Sequence, residues 1–264
     1  MNQASIAVTS LTVEQANEAR LLAEQLKLAY IQEPKNQTAQ RYDYLLIYTP
    51  DYLGLHRTSN NKINPFYIDF LSTTLRYRQS KAGLRNERLA RAIGSRPSEH
   101  PTIVDATAGL GRDSFILASL GFQITLLERS PILCALFEDA LKRARLDVKT
   151  APIIERMQLI QADAITWLTH RAAADISERP QIVYLDPMFP ERKKSASVKK
   201  EMVILQDLLG SDSDSADLFQ AAISCATKRV VVKRPRLAAN VGERTPSFTL
   251  AGSSNRFDIY LTIT

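Results

Sequence analysis

Residues 102–121, TIVDATAGLGRDSFILASLG, pass from a short apolar run into a turn with two glycines and then into a segment with helical spacing. The apolar run reads as a buried strand ending on Asp105, and Gly109 and Gly111 precede the helix. Glycines in such a turn let the backbone approach a ligand closely, and the helix start offers free N–H groups. A dinucleotide fingerprint asks for a third glycine where Ser114 stands, so the match to a nicotinamide-binding turn is incomplete.

Working downstream, the pattern repeats. QITLLE, MQLIQAD, QIVYLD and RVVVK read as strands, separated by amphipathic helical stretches that run to Ala144, follow Asp163 and begin at Lys199, and RFDIYLTIT reads as one more strand. This alternation predicts an α/β fold with a mainly parallel sheet covered by helices on both faces. Ser130-Pro131 opens the helix after QITLLE with a capping serine and a first-turn proline. Upstream, LRNERLARAIG reads as a helix closed by Gly94. Residues 1–80 differ: IAVTS, YLLIYTPDYLGLHR and FYIDF suggest short strands and Val13 to Tyr30 a helix, which predicts a small N-terminal α+β lobe. The junction is expected at Lys81-Ala82-Gly83, giving domains 1–80 and 81–264.

Bulk properties narrow the class. Across 264 residues the hydrophobic content is 45% and the charged content 23%, as in ordinary globular proteins, and no apolar run reaches the ~18 residues of a membrane span. MNQASIAVTS lacks the pattern of a secretory signal, so a cytoplasmic protein without a membrane partner is expected. Cys134 and Cys225 lie in apolar patterns without metal-ligand spacing and read as buried thiols, and no metal is expected. The net charge of +6 is unevenly spread: residues 191–200, ERKKSASVKK, are net +4 and residues 228–236, KRVVVKRPR, net +5, so the remainder is net −3. Two basic runs of this kind suit a polyanionic partner.

Asp105, Glu128, Asp163 and Asp186 all fall at the ends of predicted parallel strands. In open α/β sheets ligands sit outside those ends, at the switch point of strand order. An adenosine fits such a place without metal, with the glycines against its chain, Glu128 on the ribose hydroxyls and Asp163 toward the adenine amine. The glycine turn has no phosphate-binding lysine, which argues against ATP or GTP.

DATAGLG, LLERSP, QAD and LDPMF, in this order, resemble the S-adenosylmethionine site of a Rossmann-like methyltransferase. Asp186-Pro187-Met188-Phe189 is similar to the acid or amide–Pro–Pro–aromatic motif of enzymes that methylate exocyclic or amide nitrogens, with Met188 in place of the second proline. More narrowly, VDATAGLGRDSF, LLERSP and VYLDPMFP, with KKSASVKKEM, ATKRVVVKRP and RFDIY, resemble the ribosomal RNA small subunit methyltransferase J family over roughly residues 63–264. The resemblance implies a Rossmann-like S-adenosylmethionine-dependent sheet, S-adenosylhomocysteine as product, and methylation of guanine N2 in 16S ribosomal RNA, free or in the small subunit. No obligate protein partner is evident. Carried onto this chain, it places Asp105, Gly109, Gly111, Arg112, Asp113, Glu128, Arg129, Asp163, Ala164 and Asp186 at the cofactor and Asp186, Pro187 and Phe189 at the reacting amine. The related alternative is a nitrogen methyltransferase for DNA adenine or protein glutamine.

The chemistry suits VYLDPMFP. An exocyclic guanine amine is a poor nucleophile because its lone pair is delocalised into the ring. The Asp186 carboxylate and the Pro187 carbonyl can accept the amine hydrogens, the prolines stiffen the backbone that carries both acceptors, and Phe189 can stack on the base. No histidine nucleophile is needed, and His56, His100 and His170 lie outside these motifs. Trp167 reads as core. Arg192, Lys193, Lys194, Lys199 and Lys200 follow the motif and are expected to hold RNA phosphates, joined by Lys233, Arg234 and Arg236 after the RVVVK strand. TLRYRQSK, residues 74–81, is a further candidate RNA contact.

Overall fold

Short runs rich in β-branched residues form the strands of the larger sheet in the computed structural model, which describes residues 4–33, 38–59, 64–187 and 214–262. Strands β5 (Ile103–Asp105), β6 (Ile124–Glu128), β7 (Met157–Gln161), β8 (Ile182–Leu185) and β9 (Arg229–Pro235) are mutually parallel, and β11 (Asn255–Leu261) runs antiparallel between β9 and β10 (Phe248–Ala251). The order is β10-β11-β9-β8-β5-β6-β7. The central strands are nearly all buried because helices cover both faces, which is why IVYL and VVV are continuous apolar runs rather than alternating ones. The direction of strand addition reverses between β5 and β8, which creates the switch point.

The crossovers are α4 (Arg112–Ser119) after β5, α5 (Pro131–Arg145) and α6 (Ala151–Ile154) after β6, α7 (Ala164–Ala172) after β7, and α8 (Ser215–Cys225) before β9. One core cluster includes Leu168 of α7, Phe219 and Ala222 of α8, and Val183, Val230 and Tyr260 from the sheet. Trp167 packs against this cluster, as expected, and both cysteines are buried. The helix α3 (Arg88–Ile93) ends on Gly94 in the left-handed conformation, as its sequence predicts.

Clustering of contacts divides the chain into two compact units. The first holds the described residues up to Asp69 together with Ala135–Arg143, and the second holds Phe70–Cys134 and the described residues from Ala144 onward. In the first, β1 (Ile6–Ser10) pairs in parallel with β2 (Ala29–Tyr30) and β3 (Tyr44–Tyr48), β4 (Leu53–Arg57) closes the edge antiparallel to β3, and α1 is Ala16–Leu26. Ala7, Ile31, Leu45 and Ile47 form its core. The expected strand FYIDF makes only an isolated bridge, Leu55 to Phe66, because Tyr67 turns to stack on Tyr52 at 3.9 Å.

The N-terminal segment of the first unit ends at Asp69, ahead of the Lys81-Ala82-Gly83 junction expected from the sequence. The intervening residues pack on the larger sheet: Phe70 stacks on Phe115 at 5.4 Å, and helix α2 (Thr73–Lys81) sends Arg78 to Asp113. The helix predicted from Lys199 lies outside the described residues.

Candidate active site

The turn after β5 needs left-handed backbone at two places, and the sequence supplies Gly109 (φ 51°) and Gly111 (φ 66°), the latter capping α4. Among the described residues, a Cβ built on Gly109 would meet nothing closer than the Thr107 carbonyl oxygen at 3.7 Å. Beneath the turn Asp105 is buried, with Oδ2 accepting from Ser114 Oγ at 2.5 Å and Oδ1 from the Thr107 amide at 3.1 Å. Ser114 thus stands in the third-glycine position as a fully buried donor to Asp105. Burial pushes the Asp105 carboxyl up to about 7, against the pull of these two bonds. Thr107 Oγ1 also accepts from the Asp186 amide at 2.6 Å, which ties the end of β8 to the loop after β5.

Glu128 ends β6, and its two oxygens accept from the Gly109 amide at 3.2 Å and the Ser130 amide at 2.7 Å. Burial raises its pKa, while those amides favour the charged form. It therefore fixes the glycine loop. Ser130 caps α5 as read from sequence, accepting from the Leu133 amide. Asp163 caps α7: Oδ1 accepts from the Thr166 amide at 2.8 Å and from its hydroxyl at 2.7 Å, which lowers the Asp163 pKa. Both bonds fall on one oxygen, Oδ1. Arg129 pairs with Asp214 at 2.7 Å, and Ala164 opens α7.

Asp186 and Pro187 follow β8 directly, and the Asp186 side chain keeps 38% exposure. Its Oδ2 accepts from Lys233 Nζ at 2.7 Å, and the same ammonium donates to Asp113 Oδ2 at 2.8 Å. Asp113, in the first turn of α4, further accepts from Arg78 at 2.6 Å and from the Tyr184 hydroxyl at 2.7 Å. Burial works against ionising Asp113, yet Lys233 and Arg78 hold its carboxyl well below the usual range. Burial moves Asp186 the other way, up to about 6, with Asp113 adding to the rise and Lys233 opposing it.

Three of the residues assigned from sequence are engaged by other groups of the protein. Lys233 was expected to hold RNA phosphate, but β9 lies beside β8 and directs its ammonium between two carboxylates. Arg234, read the same way, is only 6% exposed and donates to the Ala239 carbonyl, because alternate residues of a strand face opposite sides of the sheet. Asp113 was assigned to the cofactor; its carboxylate is already shared by Arg78, Lys233 and Tyr184. Arg112 begins α4 beside the glycine turn. Phe189, Arg192, Lys193, Lys194, Lys199 and Lys200 lie outside the described residues. Arg78, Tyr184, Thr107 and Ser114 were not singled out as site residues. An acid in the first turn of α4 and a tyrosine two residues before Asp186 are visible in the sequence, but their meeting depends on the pairing of β5 with β8.

Among the described residues, no helix is long and apolar enough to cross a membrane. The sequence matches the family described as "Putative SAM-dependent methyltransferase" over residues 22–262. It is 49% identical over 210 residues to the ribosomal RNA small subunit methyltransferase J of Thioalkalivibrio sulfidiphilus, covering 80% of this chain and 81% of that protein. The corresponding protein of Nitrosococcus oceani is 45% identical over 262 residues, 99% of this chain and 100% of that one. Among solved structures, a SAM-dependent methyltransferase from Neisseria gonorrhoeae superposes with a TM-score of 0.74 at 31% identity, covering 97% of this chain and 96% of its own. A strand-end row of acids around a glycine turn, in a sheet of this order, agrees with these likenesses, and the chain belongs to the ribosomal RNA small subunit methyltransferase J family of SAM-dependent methyltransferases.

Proposed function

We propose that this protein transfers the methyl group of S-adenosylmethionine to the exocyclic N2 of a guanine in 16S small-subunit ribosomal RNA. The observation that carries the reading is the placement of Asp186. It stands at the switch point, partly exposed, next to a glycine loop where, among the described residues, a Cβ on Gly109 would meet nothing closer than the Thr107 carbonyl oxygen at 3.7 Å. The residues present fit an adenosyl cofactor: Glu128 for the ribose, Oδ2 of Asp163 for the adenine amine, and the Gly109 backbone for the amino-acid chain. Arg112, Arg129 and Ala164 border the same loops.

S-adenosylmethionine supplies, when bound, an electrophilic sulfonium methyl. The protein's own part is to aim the amine and stabilise charge. Asp186 Oδ1 accepts one amine hydrogen, the Pro187 carbonyl accepts the other, and the lone pair is drawn back toward nitrogen. As the nitrogen gains positive charge, the nearby carboxylate stabilises it, a contribution that preorganised groups make at little reorganisation cost. Phe189 stacks on the base, and the basic run 191–200 holds flanking phosphates, in a cytoplasmic enzyme that acts on RNA or the small ribosomal subunit.

The test is transfer of labelled methyl from S-adenosylmethionine to ribosomal RNA taken from cells lacking the enzyme, with digestion to locate the label. Label in N2-methylguanosine of 16S RNA is expected, and Asp186→Ala should lower the rate by roughly 100- to 1,000-fold, the usual cost of losing one preorganised transition-state partner, with S-adenosylhomocysteine binding retained. Label entering only DNA or protein would refute the substrate assignment.

A further inference from the structure

The ammonium of Lys233 donates to the Asp186 carboxylate, and the mechanism above leaves it without a role. It is held on both sides: 2.7 Å from Asp186 Oδ2 and 2.8 Å from Asp113 Oδ2. Asp113 is itself anchored by Arg78 of α2 at 2.6 Å and by the hydroxyl of Tyr184, two residues before Asp186. Arg78 completes its fork on Glu87 at 3.3 Å. A lysine kept for RNA phosphate would lie along an exposed ridge, whereas the Lys233 side chain is only 25% exposed.

We propose that Lys233 is a positioning residue for methyl transfer. Clamped between Asp113 and Asp186, it occupies Oδ2 of Asp186 and so presents Oδ1 to the substrate amine, with α2 supporting the clamp through Arg78. This deepens the reading of Asp186 as the amine acceptor and rests on it.

Charge bookkeeping agrees with the assignment. Glu87, Asp113 and Asp186 face Arg78 and Lys233, three carboxylates against two cations, so the ionised cluster carries one net negative charge. Lys233 is shared between Asp113 and Asp186, so the excess negative charge is spread over a cluster that includes the carboxylate proposed to meet the amine. Without Lys233 two carboxylates would adjoin with no cation between them, and one of them would take up a proton near neutral pH. Among the described residues, the charged groups that act on Asp186 are Lys233 from β9 and Asp113 from α4, with Tyr184 of β8 donating to Asp113, and Asp186 in turn raises the pKa of Asp105 at the end of β5. Asp113 favours the protonation of Asp186, and Lys233 opposes it.

The experiment is single-turnover methylation of small-subunit ribosomal RNA from cells lacking the enzyme, followed against pH, with RNA concentration varied and S-adenosylhomocysteine binding measured separately. Lys233→Met keeps the length of the side chain and removes its charge. The expected result is a rate lower by ~100-fold, the scale set by misplacing a reacting group by about 1 Å, with RNA half-saturation and cofactor affinity unchanged and the acidic limb of the profile moved to higher pH. Lys233→Arg should return the limb toward its original place. Asp113→Asn carries the opposite sign: removing a negative neighbour should move the limb to lower pH, and this variant serves if Lys233→Met does not fold. A rise in RNA half-saturation at an unchanged rate would make Lys233 a phosphate contact and overturn the proposal. A lower melting temperature with rate and limb unmoved would reduce it to a stabilising ion pair, and an unmoved limb in Asp113→Asn would overturn it equally. Asp186→Asn is run alongside. If that variant keeps its rate, the reading of Asp186 has failed; if it is inactive while Lys233→Met behaves like the unaltered enzyme, only the clamp has failed.

Discussion

Gly109→Ala separates a glycine needed for its backbone from a glycine needed for its neighbour. Gly109 adopts φ 51°, and a non-glycine residue there costs roughly 1–2 kcal/mol, for the Cβ then crowds its own carbonyl. Among the described residues the added methyl meets only the Thr107 carbonyl oxygen at 3.7 Å, an ordinary contact, so these residues add no steric cost without ligand. For a domain of this size the strain lowers Tm by about 2–8 °C. If the adenosyl cofactor runs against this loop, the methyl also intrudes on it, and overpacking by one methyl costs about 1–3 kcal/mol. That corresponds to a Kd for S-adenosylhomocysteine weaker by on the order of 5- to 150-fold. Gly242→Ala is the control, since Gly242 has φ 59° and its added Cβ would meet Phe219 Cδ1 at 3.4 Å. It should lose comparable stability and keep its affinity. Scanning fluorimetry gives the first quantity and isothermal titration the second. A Gly109→Ala protein with reduced Tm and undiminished affinity would refute the placement of the cofactor at this turn.

Further outcomes are expected at the same edge of the sheet. Glu128→Ala removes the acceptor for the Gly109 and Ser130 amides as well as the ribose partner, so both stability and S-adenosylhomocysteine affinity should fall, each by ~1–3 kcal/mol; unchanged titration would dismiss the ribose role. Asp105 titrates near 7 when folded against 3.8 as an isolated group, so between these values the native state binds more protons than the unfolded chain and this group's contribution falls as pH rises. Asp105→Asn should therefore gain Tm relative to the unaltered protein from about pH 4 to pH 7, and a pH-independent difference would contradict the burial argument. Changing Lys193 and Lys194 together to alanine should weaken RNA binding and reduce its salt slope by about 2, and an unaltered slope would return this run to plain surface.

Much of the sheet was legible because its signals are local. An apolar run, an acid and two glycines before a helix identify the β5 turn, and LLERSP marks the end of β6 with its cap. The four acids come to one edge because each lies within two residues of the end of a parallel strand. The placements of Lys233 and Arg234 were not legible, because they depend on two facts that composition does not carry. One is that β9 neighbours β8, and the other is which face of the strand each side chain takes. A basic run on a surface and a basic run entering a sheet look alike as letters. The position of α2 was hidden for a similar reason: Arg78 belongs to the larger unit through an ion pair with a residue 35 positions away.

The insertion of β11 between β9 and β10 bears on the order in which the protein is built. β9 pairs with β8 on one side and with β11 on the other, and Lys233 lies directly across from Phe257. The β10–β11 hairpin is contiguous in sequence, 248–261, and follows every other strand of its sheet. During synthesis the acids on β5, β6 and β7 can therefore find their places while β9 still has an unsatisfied edge, and the strand that carries the ammonium is enclosed only when the hairpin docks. Native-state hydrogen exchange should register this as a cooperative opening of β10, β11 and β9 at lower free energy than β5 and β6. The same opening loosens the hold on the Asp186 carboxylate, so slow loss of activity on storage should track exchange in the hairpin before any change in the central strands.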